Sequence, residues 1–195
     1  MATKFNAFIF KAELGETKLV VWRRFKASGN MTISYFMGVI KCLFRMYDGH
    51  GSILERTKIN SKGRRYNKTF ATRSHDPGLN PEEHILQKEV QALIGEDKKK
   101  AFFTLYYDQS WVEVTLEAVL DEEMSEDDAV VLDGQGYGLV DGYDTDKVVR
   151  EFAAKKGEDF DALKRELGSD FDFKACSVEE ENERLETEDY NYWMF

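Results

Sequence analysis

Three histidines are the side chains in this sequence best suited to proton transfer, because imidazole changes its charge near neutral pH. They are His50, His75 and His84, and none has a second His or Cys at the spacing that zinc sites use. His50 stands between two glycines, where a side chain can line a cleft. The sequence therefore predicts no metal site, and it gives His50 as a candidate for proton transfer or anion binding.

A glycine-rich segment at residues 133–138 carries an acid, Asp133, and an aromatic residue, Tyr137. It lacks the Lys-Ser/Thr pair of a phosphate-binding loop, and its acid would repel phosphate. We expect a turn-rich connector that lines a cleft. Together with His50 and Trp111, Asp133 and Tyr137 form the candidate cleft of a hydrolase-like enzyme.

A basic segment with interleaved aromatic residues lies between residues 58 and 73. Residues 60–80 show no periodicity and many turn formers, so we expect a long, mobile loop. Basic and aromatic side chains together suit phosphate contact and base stacking. The alternative is a solvated basic surface, which the net charge of −10 favours. The candidate nucleic-acid-binding residues are Lys62, Arg64, Arg65 and Lys68.

The charge of the chain is divided between its two parts. Residues 1–80 contain 15 Lys and Arg against 5 Asp and Glu, whereas residues 81–195 contain 12 against 32. Such a division indicates either a basic face for an anionic partner or two halves that neutralise each other when they pack. We favour the second explanation, because basic strands often fold beside acidic helices.

Length and composition are typical of one globular domain without disulfides. The chain has 195 residues and two cysteines, Cys42 and Cys176. Residues 1–10 lack the apolar core of a signal peptide, and no run approaches membrane-spanning length. We expect a cytoplasmic domain over residues 1–195, with no cofactor and no membrane contact. Within it, residues 1–125 form a sheet-and-helix body, and residues 126–195 pack on that body.

Periodicity predicts an α+β fold, in which an antiparallel or mixed sheet of about five strands is packed by two main helices. Thr32 is the expected N-cap of the first helix, and Ser177 with Glu180 forms a capping box for the last acidic helix. The expected strands are residues 4–13, 18–25, 52–59, 100–107 and 110–120, and the main helices are residues 32–46 and 81–94.

Two tryptophans and two arginines lie on the expected strands. Trp22 and Trp111 stand beside alternating apolar residues, so we expect both to be largely buried. Arg23 and Arg24 face opposite sides of a strand. We expect one of them to pair with an acid from beyond residue 81 and the other to meet solvent.

Several short motifs occur in a fixed order along the chain. They are Val21-Trp22-Arg23-Arg24, Thr32-Ile33 through Val39-Ile40, His50, Ser110-Trp111, Val131-Leu132-Asp133-Gly134 with Gly136, Phe171-Asp172, and Ser177-Val178-Glu179-Glu180 through Leu185. This order resembles the plasmid pRiA4b ORF-3-like family. The chain departs from the family pattern at Ser52, where the family has a second histidine, and at Glu113, where it has a histidine after the tryptophan.

The resemblance implies an α+β domain from mobile-element-linked proteins without an established activity. The leading hypothesis is a non-enzymatic accessory or interaction domain with an unidentified protein partner. The alternatives are nucleic-acid binding through residues 58–73 and a hydrolase-like cleft around His50, Trp111 and Asp133. A serine recombinase is excluded, because no N-terminal serine nucleophile stands among arginines and no terminal helix-turn-helix follows.

Overall fold

One antiparallel sheet of seven strands organises the protein, in the order β4-β3-β5-β6-β1-β2-β7. The structure, a computed structural model, describes residues 7–15, 20–46, 52–59, 65–71, 90–94, 102–107, 110–138 and 175–187. The strands are β1 (Ala7–Leu14), β2 (Trp22–Ser28), β3 (Ser52–Ile59), β4 (Arg65–Ala71), β5 (Phe102–Tyr107), β6 (Ser110–Leu120) and β7 (Ala129–Gln135). The helices are α1 (Ile33–Leu43), α2 (Val90–Ile94) and α3 (Val178–Thr187). The α+β class is confirmed, with more strands than expected.

The core lies between the inner face of the sheet and helix α1. Alternate residues of the strands point inward, so that phenylalanines from three strands meet a phenylalanine of α1. The centre of the Phe10 ring lies 5.0 Å from the centre of the Phe36 ring and 5.5 Å from that of Phe25. The ring of Phe103 contacts both Phe10 and Phe36. All four rings are fully buried. These aromatic side chains supply much of the apolar area that holds the helix on the sheet.

Helix α1 begins where the sequence predicted and ends earlier. The hydroxyl of Thr32 accepts a hydrogen bond of 3.1 Å from the backbone N–H of Tyr35, which confirms the N-cap. The helix ends at Leu43, and Arg45 takes a left-handed backbone conformation with φ of 57°. A non-glycine residue seldom adopts this conformation. A left-handed residue at this position is typical of the end of a helix.

Residues 65–71 form strand β4, so the prediction of a loop across residues 60–80 is wrong for this part. The backbone of β4 pairs with β3 in a regular register that places Lys58 opposite Tyr66 and Arg56 opposite Lys68. The sequence lacks strand periodicity here, and β4 forms because β3 offers it an unpaired edge. Residues 52–59 and 65–71 are therefore paired as antiparallel strands at one edge of the sheet.

Residues 129–135 form strand β7, so the prediction of a connector is wrong for residues 133–135 of the glycine-rich segment. The strand pairs with β2, and a bulge leaves Leu132 without an opposite residue. Gly136 then takes φ of 78°, which ends the strand. Short strands that contain glycine carry a weak sequence signal, because pairing with a neighbour rather than local propensity stabilises them.

Helix α3 covers β7 at the second edge of the sheet. The side-chain amide of Asn182 accepts a hydrogen bond of 2.7 Å from the N–H of Val131 and donates one of 3.1 Å to its carbonyl. This amide satisfies the edge backbone in the way that a further strand would. The hydroxyl of Ser177 accepts from the N–H of Glu180 at 3.2 Å, as the predicted cap requires.

Other predictions are partly confirmed. Trp22 and Trp111 lie on strands, but both are only half-buried, because they project from the outer face of the sheet instead of into the core. Of the predicted helix 81–94, only residues 90–94 are described, and they are helical. The predicted division at residue 125 stays a prediction.

Candidate functional site

Three apolar or aromatic side chains form a continuous row on the outer face of the sheet, opposite the face that α1 covers. Ile53 of β3 lies opposite Tyr106 of β5, which lies opposite Trp111 of β6. Ile53 is 37% exposed and Tyr106 is 41% exposed. We call Ile53, Tyr106 and Trp111 the outer aromatic row. At the usual spacing between strands it is about 10 Å long.

Gly15 fixes the position of Trp111 in this row. The N–H of Gly15 donates a hydrogen bond of 2.8 Å to the carbonyl of Trp111. A Cβ atom at residue 15 would lie 2.0 Å from Nε1 of the indole, far inside van der Waals contact. Only glycine therefore lets the indole lie against the end of β1, and this contact holds one end of the row in place.

Charged side chains occupy the outer face next to the row. Lys11 forms a salt bridge of 3.0 Å with Glu13, and its ammonium lies 5.3 Å from the centre of the Trp22 ring. Arg24 pairs with Glu117 at 2.6 Å, so both strand arginines find acids and neither is left to solvent alone. These contacts are partly exposed to water, and each contributes little to stability.

Two carboxylates stand directly opposite each other on this face. Glu13 of β1 and Glu113 of β6 are register partners, and both are exposed. Like charges at opposite positions of neighbouring strands destabilise a sheet. Glu13 has Lys11 as its partner, whereas Glu113 forms no salt bridge with any described residue. The acidic charge next to the outer aromatic row is thus only partly neutralised.

A second cluster lies on the inner face, where Glu181 of α3 receives three arginines. Nη2 of Arg23 and Nη2 of Arg45 each lie 3.2 Å from Oε1 of Glu181, and Arg184 pairs with Oε2. The side chains of Arg23 and Glu181 are 0% and 2% exposed. This confirms that one of the strand arginines pairs with an acid from beyond residue 81.

Backbone carbonyls share the same arginines. Arg23 donates 3.0 Å bonds to the carbonyls of Trp22 and Gln135 and a 3.1 Å bond to that of Tyr137. Arg45 donates to the Tyr137 carbonyl at 3.0 Å, and its guanidinium lies 3.9 Å from the centre of the Tyr137 ring. The cluster therefore ties β2, the end of α1, the end of β7 and α3 together.

Cys176 lies at the border of this cluster. Its Sγ would be 2.6 Å from a Cβ atom at Gly134, and Cδ of Arg23 would be 3.0 Å from the same atom. Burial raises the pKa of the Cys176 thiol above its usual value, and the guanidinium of Arg23 offsets part of this effect. Cys42 and Cys176 are free thiols. The thiol stays protonated at neutral pH and is a weak nucleophile.

The structure separates the three described residues of the predicted cleft. Asp133 is exposed and register-paired with Arg24 on the outer face, whereas Tyr137 belongs to the inner arginine cluster. Trp111 lies on β6, which β1 and β2 separate from β7, a distance of about 14 Å at normal strand spacing. His50 lies outside the described residues, as do His75 and His84.

Two of the four predicted nucleic-acid-binding residues lie in the described part of the chain. Arg65 and Lys68 lie on β4, opposite Ile59 and Arg56 in the backbone register. Lys62 and Arg64 lie outside the described residues. Within the described ranges, no three His, Cys, Asp or Glu side chains form a group that could hold a metal ion. No described helix has both the length and the apolar character needed to span a membrane.

Sequence reasoning missed the two sets of residues that the fold gathers. Glu181 and Arg184 lie on α3, whereas Arg45 follows α1, and nothing in their local sequence distinguishes them from solvated charges. Ile53 and Tyr106 could be found from the sequence, because each is an apolar or aromatic residue directly beside an apolar strand residue that faces the core. A strand that carries apolar residues on its solvent face as well as on its core face indicates an exposed apolar site.

Comparison with known proteins identifies a solved structure of the same fold and the family of the chain. The fold is similar to the crystal structure of MM3350, a protein of unknown function from Methanosarcina mazei Go1, with a TM-score of 0.63. The two sequences are 17% identical, and the match covers 91% of this chain and 98% of that one. No curated protein matches the sequence. The model of the plasmid pRiA4b ORF-3-like protein family matches residues 6–180, so the chain belongs to this family.

Proposed function

We propose that the protein is a non-enzymatic interaction domain that binds a partner protein across the outer face of its sheet. The outer aromatic row is the observation that carries this proposal. Ile53 and Tyr106 expose 37% and 41% of their surface, and Trp111 is half-buried beside them. Adjacent exposed apolar groups mark interaction sites, and Trp and Tyr dominate the binding energy of protein interfaces.

The row has the rigidity that an efficient binding surface needs. Each of its residues lies within a strand that pairs with neighbours on both sides. The opposite side of the same strands belongs to the core, which includes Leu54, Leu105 and Val112. A surface that is ordered before binding loses little conformational entropy when a partner arrives.

Site-specific photo-crosslinking tests this proposal. A photoreactive phenylalanine analogue replaces Tyr106 in the full-length protein, and the cells that express it are irradiated. The expected result is a discrete crosslinked product of higher mass, which is lost when Ile53 and Trp111 are changed to Ser. Exposed apolar residues contribute most when they are adjacent, so removal of the neighbours should abolish capture.

Val130 provides the matched control for this experiment. It is 38% exposed, and it lies opposite Lys26 on the same face of the sheet, at the far edge from the row. The analogue at Val130 should give no discrete product. Equal crosslinking from Val130 and Tyr106, or none from Tyr106, contradicts a partner site at the outer aromatic row.

A second candidate function is nucleic-acid binding by the hairpin of β3 and β4. The backbone register favours it, because basic residues occur on both of the paired strands at this edge, Lys58 on β3 and Arg65 and Lys68 on β4. The proposed contacts are Lys62, Arg64, Arg65 and Lys68. Such binding would be weak and salt-dependent, since the protein as a whole carries a net charge of −10.

Fluorescence anisotropy with single-stranded and duplex DNA at two salt concentrations tests the second candidate. The variant carries alanine at Lys62, Arg64, Arg65 and Lys68, and the control carries alanine at Arg24 and Lys26 on the outer face. If wild type binds tightly and only the four-fold variant loses binding, nucleic-acid binding replaces the first proposal. If wild type does not bind at low salt, the second candidate is wrong.

A further inference from the structure

We infer that the outer face recognises a basic segment of the partner, one that carries arginine or lysine between apolar residues. This inference rests on the proposed interaction function and names the chemistry of the partner. It depends on two neighbouring features: the exposed outer aromatic row and the acidic charge beside it. An aromatic surface with a carboxylate next to it is a suitable environment for a cationic side chain.

The unbalanced charge lies next to the row. Glu113 follows Trp111 by two residues on β6, so the two side chains share the outer face and are about 7 Å apart along the strand. On its other side Glu113 faces Glu13 in the register. The sheet therefore holds two carboxylates where one would be more stable, and a cation that binds at Glu113 would offset this repulsion.

The protein already contains one example of this recognition. The ammonium of Lys11 lies 3.0 Å from Oε1 of Glu13 and 5.3 Å from the centre of the Trp22 ring, so one cation contacts a carboxylate and an indole together. Glu113 and Trp111 present the same two groups on the neighbouring strand. Within the described ranges no lysine or arginine forms a salt bridge with Glu113.

The dimensions of the surface suit an extended peptide that crosses the strands. Side chains on one face of an extended peptide recur about every 7 Å, and the outer aromatic row spans about 10 Å. An apolar residue can therefore cover Tyr106 while the next residue on that face reaches Trp111. The aliphatic stem of an arginine packs on the indole, and its guanidinium then reaches the carboxylate of Glu113.

Binding of designed peptides to the full-length protein tests the inference. The probes are fluorescein-labelled peptides with the repeats Leu-Ser-Arg-Ser, Leu-Ser-Ser-Ser and Leu-Ser-Glu-Ser, measured by anisotropy at low and physiological salt. In an extended chain each repeat places leucine and the variable residue in turn on one face. The arginine peptide should bind most tightly. Glu113→Gln should weaken it about tenfold, as expected for loss of a charge-assisted hydrogen bond. Tyr106→Ala should weaken it by a similar factor.

Two control variants separate local recognition from general attraction. Glu123→Gln removes the same charge from an exposed acid of the segment between β6 and β7, and Val130→Ala removes an equally exposed apolar side chain. Each should change the affinity less than about twofold, because charges beyond a Debye length are screened and Val130 lies on β7, at the far edge of the sheet from the row. Circular dichroism of every variant verifies that its fold is retained.

The other outcomes contradict either the basic partner or the interaction surface. If Glu123→Gln weakens binding as much as Glu113→Gln, or if the glutamate peptide binds as tightly, the basic partner is wrong. The interaction surface itself still stands if crosslinking at Tyr106 succeeds. If the arginine peptide binds and Tyr106→Ala has no effect, or if no peptide binds, the inference is wrong. If the crosslinking experiment at Tyr106 also fails, the proposed function is wrong.

Discussion

Arg23 and Glu181 form a buried ion pair of 3.2 Å that joins β2 to α3 across 158 positions of the chain. Neither side chain has significant exposure to water. Arg45 and Arg184 bind the same carboxylate, so three guanidinium groups share one acid among the described residues. The pair therefore connects the C-terminal helix to the sheet, and it does so on the face opposite to the outer aromatic row.

Replacement of Glu181 should destabilise the protein strongly. Glu181→Gln keeps the shape of the side chain and removes its charge, which leaves buried guanidinium groups without their acid. Breaking a buried pair in this way costs about 3–5 kcal/mol. Glu183→Gln on the exposed side of the same helix is the control, with an expected change within about 0.5 kcal/mol. Urea denaturation measures both, and a loss below about 1 kcal/mol for Glu181→Gln would show that water solvates the cluster.

Removal of the Asn182 side chain should expose the edge of β7. Asn182→Ala leaves the N–H and the carbonyl of Val131 without their partner, at a cost of about 1–3 kcal/mol. Hydrogen exchange should detect faster loss of the Val131 amide proton, and sedimentation should detect self-association through the open edge. Glu179→Ala is the exposed control on α3. An unchanged exchange rate at Val131 would contradict the role of the amide.

A side chain at residue 15 should displace Trp111. Gly15→Ala places a methyl group 2.0 Å from the present position of the indole Nε1, so the ring must move. We expect a loss of about 1–3 kcal/mol from overpacking. In a Trp111→Ala background the same change should cost much less, because the clash is absent. A double-mutant cycle by chemical denaturation checks this, and equal costs in the two backgrounds would contradict a direct contact.

The Cys176 thiol should make stability depend on pH in the alkaline range. Burial raises the pKa of this thiol in the folded state above its ordinary value, so the folded protein holds the proton more tightly than the unfolded chain. Its contribution is fully present below the unfolded pKa and is lost as pH rises through the folded pKa. Wild type should therefore lose stability relative to Cys176→Ser above about pH 9.

Denaturation of both proteins at a series of pH values measures this difference. The comparison with Cys176→Ser removes the effect of tyrosines and lysines, which titrate in the same range. A constant difference between wild type and variant would show that the folded and unfolded thiols have the same pKa. If wild type instead gained stability over the variant as the pH rises, the pKa of the folded thiol would be lowered and not raised.

The sequence alone determined the elements whose signals are local. Alternation predicted the hairpin of β1 and β2 and the pair of β5 and β6, and the N-caps at Thr32 and Ser177 were correct. Such signals are readable because strand alternation and side-chain capping involve residues only a few positions apart. The family resemblance was also readable, because it depends on motif order.

Only the tertiary structure decided where the chemically distinctive residues meet. Tyr137 and Asp133 are four positions apart in the sequence, yet they lie on opposite sides of the sheet. Glu181 meets Arg23 because α3 packs against β7, and the three members of the outer aromatic row meet because β5 pairs with both β3 and β6. Strand order and helix packing come from long-range burial of apolar area. No local pattern of residues encodes that burial, so the sequence could predict these elements but not their partners.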